Sequence, residues 1–175
     1  MCYGDRSVVS RRRFLALAGA GSVAACGGLI LTPRAAEAAW PALRRGDVFL
    51  TRNLFNNIVP GYWNHVALYD AGFVYEAQPS PGIRSVPYAA FLKENFRIRV
   101  LRLNGQYLVP RMLDYAKSLV GEPYNILPIT GKYTCVMYIR ASYYFATLAT
   151  TPVDPGWLTP DHLARDTRFV DVGGK

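Results

Sequence analysis

Residues 64–77 read NHVALYDAGFVYEA, two runs of alternating residues separated by Ala71-Gly72. Alternation of period two sends successive side chains to opposite faces of a strand. A small-residue pair between two such runs is a hairpin signal. A hairpin constrains a chain more than a single strand does, because it fixes register as well as element type. With a loop of two or four residues, Ala67 faces Glu76 and His65 faces Gln78. His65, Ala67, Tyr69, Glu76 and Gln78 then project from one face, with Glu76 diagonal to His65 and within reach of long side chains. An odd-length loop breaks this pairing.

Short elements flank the hairpin. DVFLT (47–51) reads as a strand, followed by a loop with Asn, Pro and Gly up to Asn64. After Gln78, PSPG marks a turn and GIRSV a further short strand. YAAFLKEN (88–95) has helical spacing, and IRVLRL (98–103) alternates as a half-buried strand does. Pro110 opens a second helix with Leu113, Ala116, Leu119 and Val120 on one face, closed by Gly121. EPYNILPITGKY is a loop rich in Pro and Gly. From Cys135, apolar residues Val136, Met137, Ile139, Tyr143 and Ala146 recur at helical intervals over about fifteen residues, and Arg140 and the short length argue against a membrane span. TPVDPGW is a loop, and TPDHLARD starts a short helix with Thr159 as N-cap and Pro160 at its first position. This order predicts an α+β fold, a small antiparallel sheet packed against helices.

The length of 175 residues fits one folded domain. Ahead of it, residues 10–40 read SRRRFLALAGAGSVAACGGLILTPRAAEAAW: a basic start, a Gly/Ala-rich apolar stretch, then Ala36-Glu37-Ala38 before Ala39. This resembles a bacterial twin-arginine export signal, with Ser10-Arg11-Arg12-Arg13-Phe14-Leu15 matching its S-R-R-x-F-L pattern. The expected organisation is a signal peptide over 1–38 and a mature domain over 39–175. The domain is expected to be handed to the twin-arginine export machinery and delivered to the periplasm or the outside of the cell. A membrane anchor or an N-terminal core helix is the alternative, and the segment is short and glycine-rich for either. Val23-Ala24-Ala25-Cys26 resembles a lipoprotein box, which would tether the domain through Cys26. Against that, the apolar run continues as Leu29-Ile30-Leu31, where a lipoprotein normally begins a polar linker.

The formal net charge of +8 is uneven, since five arginines fall in the first 38 residues against only Asp5 and Glu37. The remainder is mildly basic, which suits association with an anionic membrane or cell-wall surface. Beyond Arg44-Arg45 there is no basic run, and without the clustered footprint of a nucleic-acid binder that partner is set aside.

Export sharpens the cysteine arithmetic. Cys2 and Cys26 lie in the signal, which leaves Cys135 alone. A lone cysteine in an oxidising compartment makes no internal disulfide and is a liability unless it has a use. A buried, inert thiol is the plain alternative. The mature chain holds two histidines, His65 and His162. The thiolate is the attacking species, a neighbouring imidazole raises its fraction, and a third group orients the imidazole. Cys135, following Tyr133-Thr134, falls in the first turn of its helix, where free N–H groups stabilise charge on sulfur or on an oxyanion. His65 and Glu76 equally read as structural strand residues, and His162 as a surface residue near a helix start. One Cys and two His without ligand spacing make no zinc site. No glycine-rich phosphate loop in strand–turn–helix context is present. No metal or cofactor is expected.

The fragments GDVFL, NHVALY, VYEA, GEPYN, YTC opening a helix, and TPDHLARDTRF stand in the order found in the YiiX/YaeF-like cysteine hydrolases, which the chain resembles over residues 46–170. These belong to the NlpC-type superfamily with a circularly permuted papain-like fold, where His precedes Cys. The resemblance implies His65 as general base, Glu76 as its orienting residue and Cys135 as nucleophile. It implies that Tyr124, of the G-x-P-Y segment, lines the site. Tyr133 and Gln78 are further substrate-binding candidates. Where the family usually has Ser after the cysteine, often followed by an acidic residue, Val136 and Met137 stand here, which makes the pocket more apolar. The expected function is an exported cysteine hydrolase of amidase or peptidase type, cleaving an amide or ester through an acyl-enzyme on Cys135, with cell-wall peptides as one substrate. The alternatives are a lipid acyl hydrolase or acyltransferase of the lecithin:retinol acyltransferase-like type, and a catalytically silent module that binds a peptide or lipid on the same fold.

Overall fold

The structure, a computed structural model, describes residues 40–52, 61–124 and 134–175. The expected signal over 1–38, Cys26 and Tyr133 lie outside the described residues. In chain order the elements are β1 (Val48–Arg52), β2 (His65–Asp70), β3 (Phe73–Gln78), β4 (Gly82–Pro87), α1 (Tyr88–Glu94) and β5 (Arg97–Leu103). A 3-10 turn (Gln106–Leu108) leads into α2 (Val109–Ser118), followed by α3 (Cys135–Thr147), α4 (Pro160–Ala164) and β6 (Phe169–Gly174). The strands form one six-stranded sheet in the order β4-β3-β2-β1-β5-β6, antiparallel at every pairing. Sheet and helices make an α+β fold. Among the described residues no helix is long and apolar enough to cross a membrane.

The hairpin has a two-residue loop, and its register pairs Ala67 with Glu76 and Asp70 with Phe73. Ala71 (φ 46°) and Gly72 (φ 90°) both occupy positive φ, the requirement of a type I′ turn, whose twist matches that of the strands it joins. Alanine is strained there, because its Cβ approaches the following carbonyl oxygen. Ala71→Gly is therefore expected to stabilise the fold by about 0.5–1 kcal/mol, read as a rise in the denaturation midpoint at unchanged slope.

The sheet is covered on both faces. Val48, Leu50, Val66, Leu68, Leu101 and Leu103 pack with Met112, Leu113 and Ala116 of α2 and with Cys135, Tyr138 and Ile139 of α3. Phe49, Ala67, Val74, Ile98 and Val100 pack with Phe91 of α1, and Trp40 and Tyr88 close over that side. Phe49 stacks on Phe91 with ring centroids 5.4 Å apart. β1 sits at the centre with both faces buried, which is why VFL is a continuous apolar run rather than an alternating one.

Two elements differ from the sequence expectation. The second helix begins at Val109, after the 3-10 turn, rather than at Pro110. β6 was not anticipated. Its burial pattern shows one buried residue followed by exposed and half-buried ones, so neither alternation nor an apolar run announces it. Its pairing with β5 is also irregular between Val100 and Leu101.

Candidate active site

His65 is the first residue of β2 and Cys135 the first of α3, so the two side chains are presented where both elements begin. Each start is tied down. Before β2, the backbone N–H groups of Tyr62 and Trp63 donate to the two carboxylate oxygens of Asp161 on α4, at 2.9 and 3.1 Å. Before α3, Thr134 has extended backbone and its Oγ1 accepts from Met137 N at 3.1 Å, an N-cap that fixes the helix start. The helix start leaves first-turn N–H groups without intrahelical partners, the end of a helix that favours negative charge.

The hairpin register brings His65 and Glu76 together. Both side chains are wholly buried, and His65 Nε2 donates to Glu76 Oε2 at 2.7 Å. Gln78, 3.3 Å from the same ring nitrogen, donates its amide to Glu76 Oε2 at 3.1 Å. Gln78 is 9 % exposed, and what it contacts here is the carboxylate. With Nε2 engaged, Nδ1 is the ring atom left for Cys135, and it makes no hydrogen bond in the structure. Thr51, directly across the β1–β2 pair from His65, also leaves a buried hydroxyl without a partner.

The charges of this cluster support one another. Burial opposes a charged His65, but the nearby Cys135 and then the Glu76 hydrogen bond outweigh it and push the imidazole up to about 10. Burial likewise opposes ionisation of Glu76, and the His65 bond together with the Arg84 charge draws it down to about 2. Arg84 on β4 pairs directly with Glu76 across the β3–β4 ladder. It donates Nε and Nη2 to Glu76 Oε1 at 2.8 and 2.6 Å. Sequence reading passed over Arg84, although the pairing arithmetic applied to the first hairpin also places it opposite Glu76 across the 79–81 turn.

Tyr124 is half-buried beside the nucleophile, and burial followed by the charge of Cys135 raises its phenol to about 12, so it is a donor at neutral pH. Its segment is strapped to β4: Ile83 N donates to Glu122 O at 2.8 Å and Gly121 N to Ile83 O at 2.9 Å. Gly82 makes that strap possible, since at φ +109° a Cβ there would stand 2.5 Å from Glu122 O. His162 lies away from this cluster, exposed on α4, where Nδ1 accepts from Leu158 N at 3.1 Å.

Val136 departs from the expectation that it makes the pocket apolar. It is 2 % exposed and packs in the core between sheet, α2 and α3. Met137 is the more accessible of the two and lines a groove of about 270 Å³ with Arg140, Ala141, Tyr144 and Asp154. At 100° per residue these positions lie on the face of α3 opposite Cys135, so the groove is separate from the candidate site.

A thiol beside an imidazole whose far nitrogen is fixed by a carboxylate is the arrangement that nucleophilic thiol chemistry needs. Among the described residues no group of three His, Cys, Asp or Glu side chains is disposed to hold a metal ion. The family model of permuted papain-like amidase enzymes, YaeF/YiiX, C92 family, matches residues 42–153, a span that contains His65, Glu76, Gln78, Arg84, Tyr124 and Cys135. No curated protein and no solved structure matches the chain. With nearly two thirds of its length matched, the chain belongs to the permuted papain-like amidase family, YaeF/YiiX, C92.

Proposed function

We propose that this chain is a cysteine hydrolase that cleaves an amide or ester bond through an acyl-enzyme on Cys135. The observation that carries the reading is the buried cluster where β2 and α3 begin: Glu76 holds His65 Nε2 at 2.7 Å, and the unpartnered Nδ1 is left for the Cys135 thiol. Cys135 passes its proton to His65 Nδ1 and attacks the carbonyl carbon, forming a carbon–sulfur bond. Glu76 keeps the imidazole oriented and stabilises the imidazolium. The oxyanion lies at the start of α3, beside the Cys135 N–H. Collapse of the adduct expels the leaving amine or alcohol with the proton from His65, and water then releases the acyl group by the reverse sequence. Tyr124 is placed to donate a hydrogen bond to the substrate near the sulfur. Tyr133, next to the helix start in sequence, joins it in this proposal, whereas Gln78 acts through Glu76.

The substrate class follows from less. A twin-arginine leader would deliver the domain to the cell envelope, where peptide amides of the wall are the abundant substrate of amidase type, and the mildly basic domain suits that polymer. The test is to incubate the protein with a panel of small peptide amides and medium-chain acyl esters and then to trap acyl intermediates by acid quench. Mass spectrometry is expected to find a thioester on Cys135 with at least one amide. Adducts with acyl esters alone move the assignment to lipid acyl chemistry, and cleavage without any Cys135 adduct removes the acyl-enzyme. His65→Ala is expected to slow Cys135 alkylation by chloroacetamide at neutral pH by about tenfold or more, since no base remains to take the proton. An unchanged rate would take His65 out of the mechanism.

A further inference from the structure

Glu76 receives more than an orienting carboxylate needs. Its Oε2 serves His65 and Gln78, while its Oε1 is clamped by two donors of one guanidinium. Arg84 Nη2 also donates to Glu94 on α1 at 2.7 Å. From solvent inward the line runs Glu94, Arg84, Glu76, His65, Cys135, and the formal charges of its first four members alternate as −, +, −, +. Exposure falls along it: the side chain of Glu94 is 46 % exposed, that of Arg84 26 %, and those of Glu76 and His65 are 0 %. An isolated carboxylate at the Glu76 position would be expensive to keep ionised, and burying it against a single imidazole would let it take up a proton in acid.

We infer that Arg84 is a positioning residue of the hydrolase site, which holds Glu76 ionised and aimed at His65 so that the imidazole can support a thiolate on Cys135. This rests on the cysteine-hydrolase reading and adds a fourth member to its catalytic line. The groups that bear on Glu76 come from every element packed around it: His65 on β2, Gln78 on β3, Arg84 on β4, Glu94 on α1 through Arg84, and Cys135 on α3 through His65. Tyr124 faces Cys135 from the segment after α2. Among these, Arg84 is the cation whose charge does not depend on pH over the range where the others titrate. It can therefore keep Glu76 ionised where His65 alone cannot. Loss of Arg84 lets Glu76 protonate at higher pH. His65, buried and stripped of its anion, then gives up its charge, and the proton returns to sulfur. Reactivity should fail from the acid side first.

The experiment is the rate of Cys135 alkylation by chloroacetamide against pH on the folded full-length chain. It is read by mass spectrometry of the peptide that carries Cys135, so that Cys2 and Cys26 do not contribute. In wild type an acid limb should be seen. In Arg84→Gln the limb is expected to move up by about one pH unit, which is about a tenfold lower rate on the acid side. In Arg84→Lys, which keeps the charge but loses the fork, a smaller upward move is expected. Glu94→Gln should change the rate by no more than about twofold, as befits an exposed pair. A purely structural Arg84 would lower the melting temperature and leave the shape of the pH profile alone. An acid limb that coincides with wild type in both Arg84 variants, or in whichever of them folds, overturns the positioning role alone. A wild-type Cys135 that reacts only after unfolding overturns the hydrolase reading and the positioning role with it.

Discussion

Cys135→Ser is expected to lower turnover of whichever amide or acyl ester the wild-type chain cleaves by on the order of 10⁴-fold or more, the scale seen when a covalent catalyst loses its nucleophile. Folding should survive the change. Cys135 is wholly buried at the first position of α3, and Ser is nearly isosteric. The hydroxyl would meet a polar partner that is otherwise unsatisfied, because His65 Nδ1 makes no hydrogen bond in the structure. Stability should thus move by about 1 kcal/mol, the ordinary net worth of one hydrogen bond. Two things make serine a poor substitute here. A hydroxyl carries no appreciable anion at neutral pH and depends on a neutral imidazole to take its proton. The substitution also removes the group that does most to raise His65, so the imidazolium that supports a thiolate in wild type has no counterpart in the variant. The neighbouring Cys135 is the foremost influence raising that imidazole, so the variant should also show His65 titrating at lower pH than in wild type, measured by NMR of the ring protons. Turnover close to wild type in Cys135→Ser would end the nucleophile assignment.

The hairpin was legible because two local rules agreed on it. Period-two alternation named the strands, and the Ala71-Gly72 pair named the loop, so the partner of every residue from Ala67 to Asp70 followed by arithmetic. The adjacency of His65 and Glu76 is a consequence of that register, not of composition. β6 escaped the same reading for a physical reason. It lies on the sheet margin, Val170 is 49 % exposed, and a strand without a buried face leaves no hydrophobic period in the sequence.

The site shows where local rules stop. Nothing within residues 135–147 says which strand α3 docks against, since helix docking is decided by two cores assembled from the whole chain. Only the resemblance to a family joined Cys135 to His65 before the structure did. Val136 shows the converse error: adjacency in sequence to the nucleophile suggested a place in the pocket, but at 100° per residue the next side chain on a helix turns away, here into the core. Gln78 was rightly placed on the His65 face, yet its amide is satisfied by Glu76 Oε2. Arg84 was within reach of the pairing argument and needed only one more turn of it.

Glu76→Gln should cost the most stability of any single change in the line, and its cost should depend on pH in a way that identifies the charges. In wild type, Glu76 is drawn down from its ordinary 4.5 to about 2, so its contribution is fully present above 4.5 and is lost as pH falls toward 2. His65 is pushed up from its ordinary 6.5 to about 10, so its contribution is fully present below 6.5 and is lost as pH rises toward 10. Between these limits, at pH 4.5 to 6.5, both groups are charged in the folded chain and the pair contributes most. Replacing the carboxylate by an amide leaves a wholly buried imidazole and a partly buried guanidinium facing a neutral group. Removing one partner of a buried pair costs about 3–5 kcal/mol. The difference in unfolding free energy between wild type and Glu76→Gln is therefore expected to be largest at about pH 4.5 and below and to shrink as pH rises toward 9, measured by urea denaturation across the range from about pH 3 to pH 9. With no anion beside it, His65 becomes a buried neutral imidazole that must gain a proton on unfolding in acid, so the variant should lose stability below pH 6.5 where wild type still holds it. A difference that stays flat from pH 3 to pH 9 would mean that His65 and Glu76 meet as a neutral hydrogen-bonded pair. The imidazolium would then have to form only when Cys135 attacks.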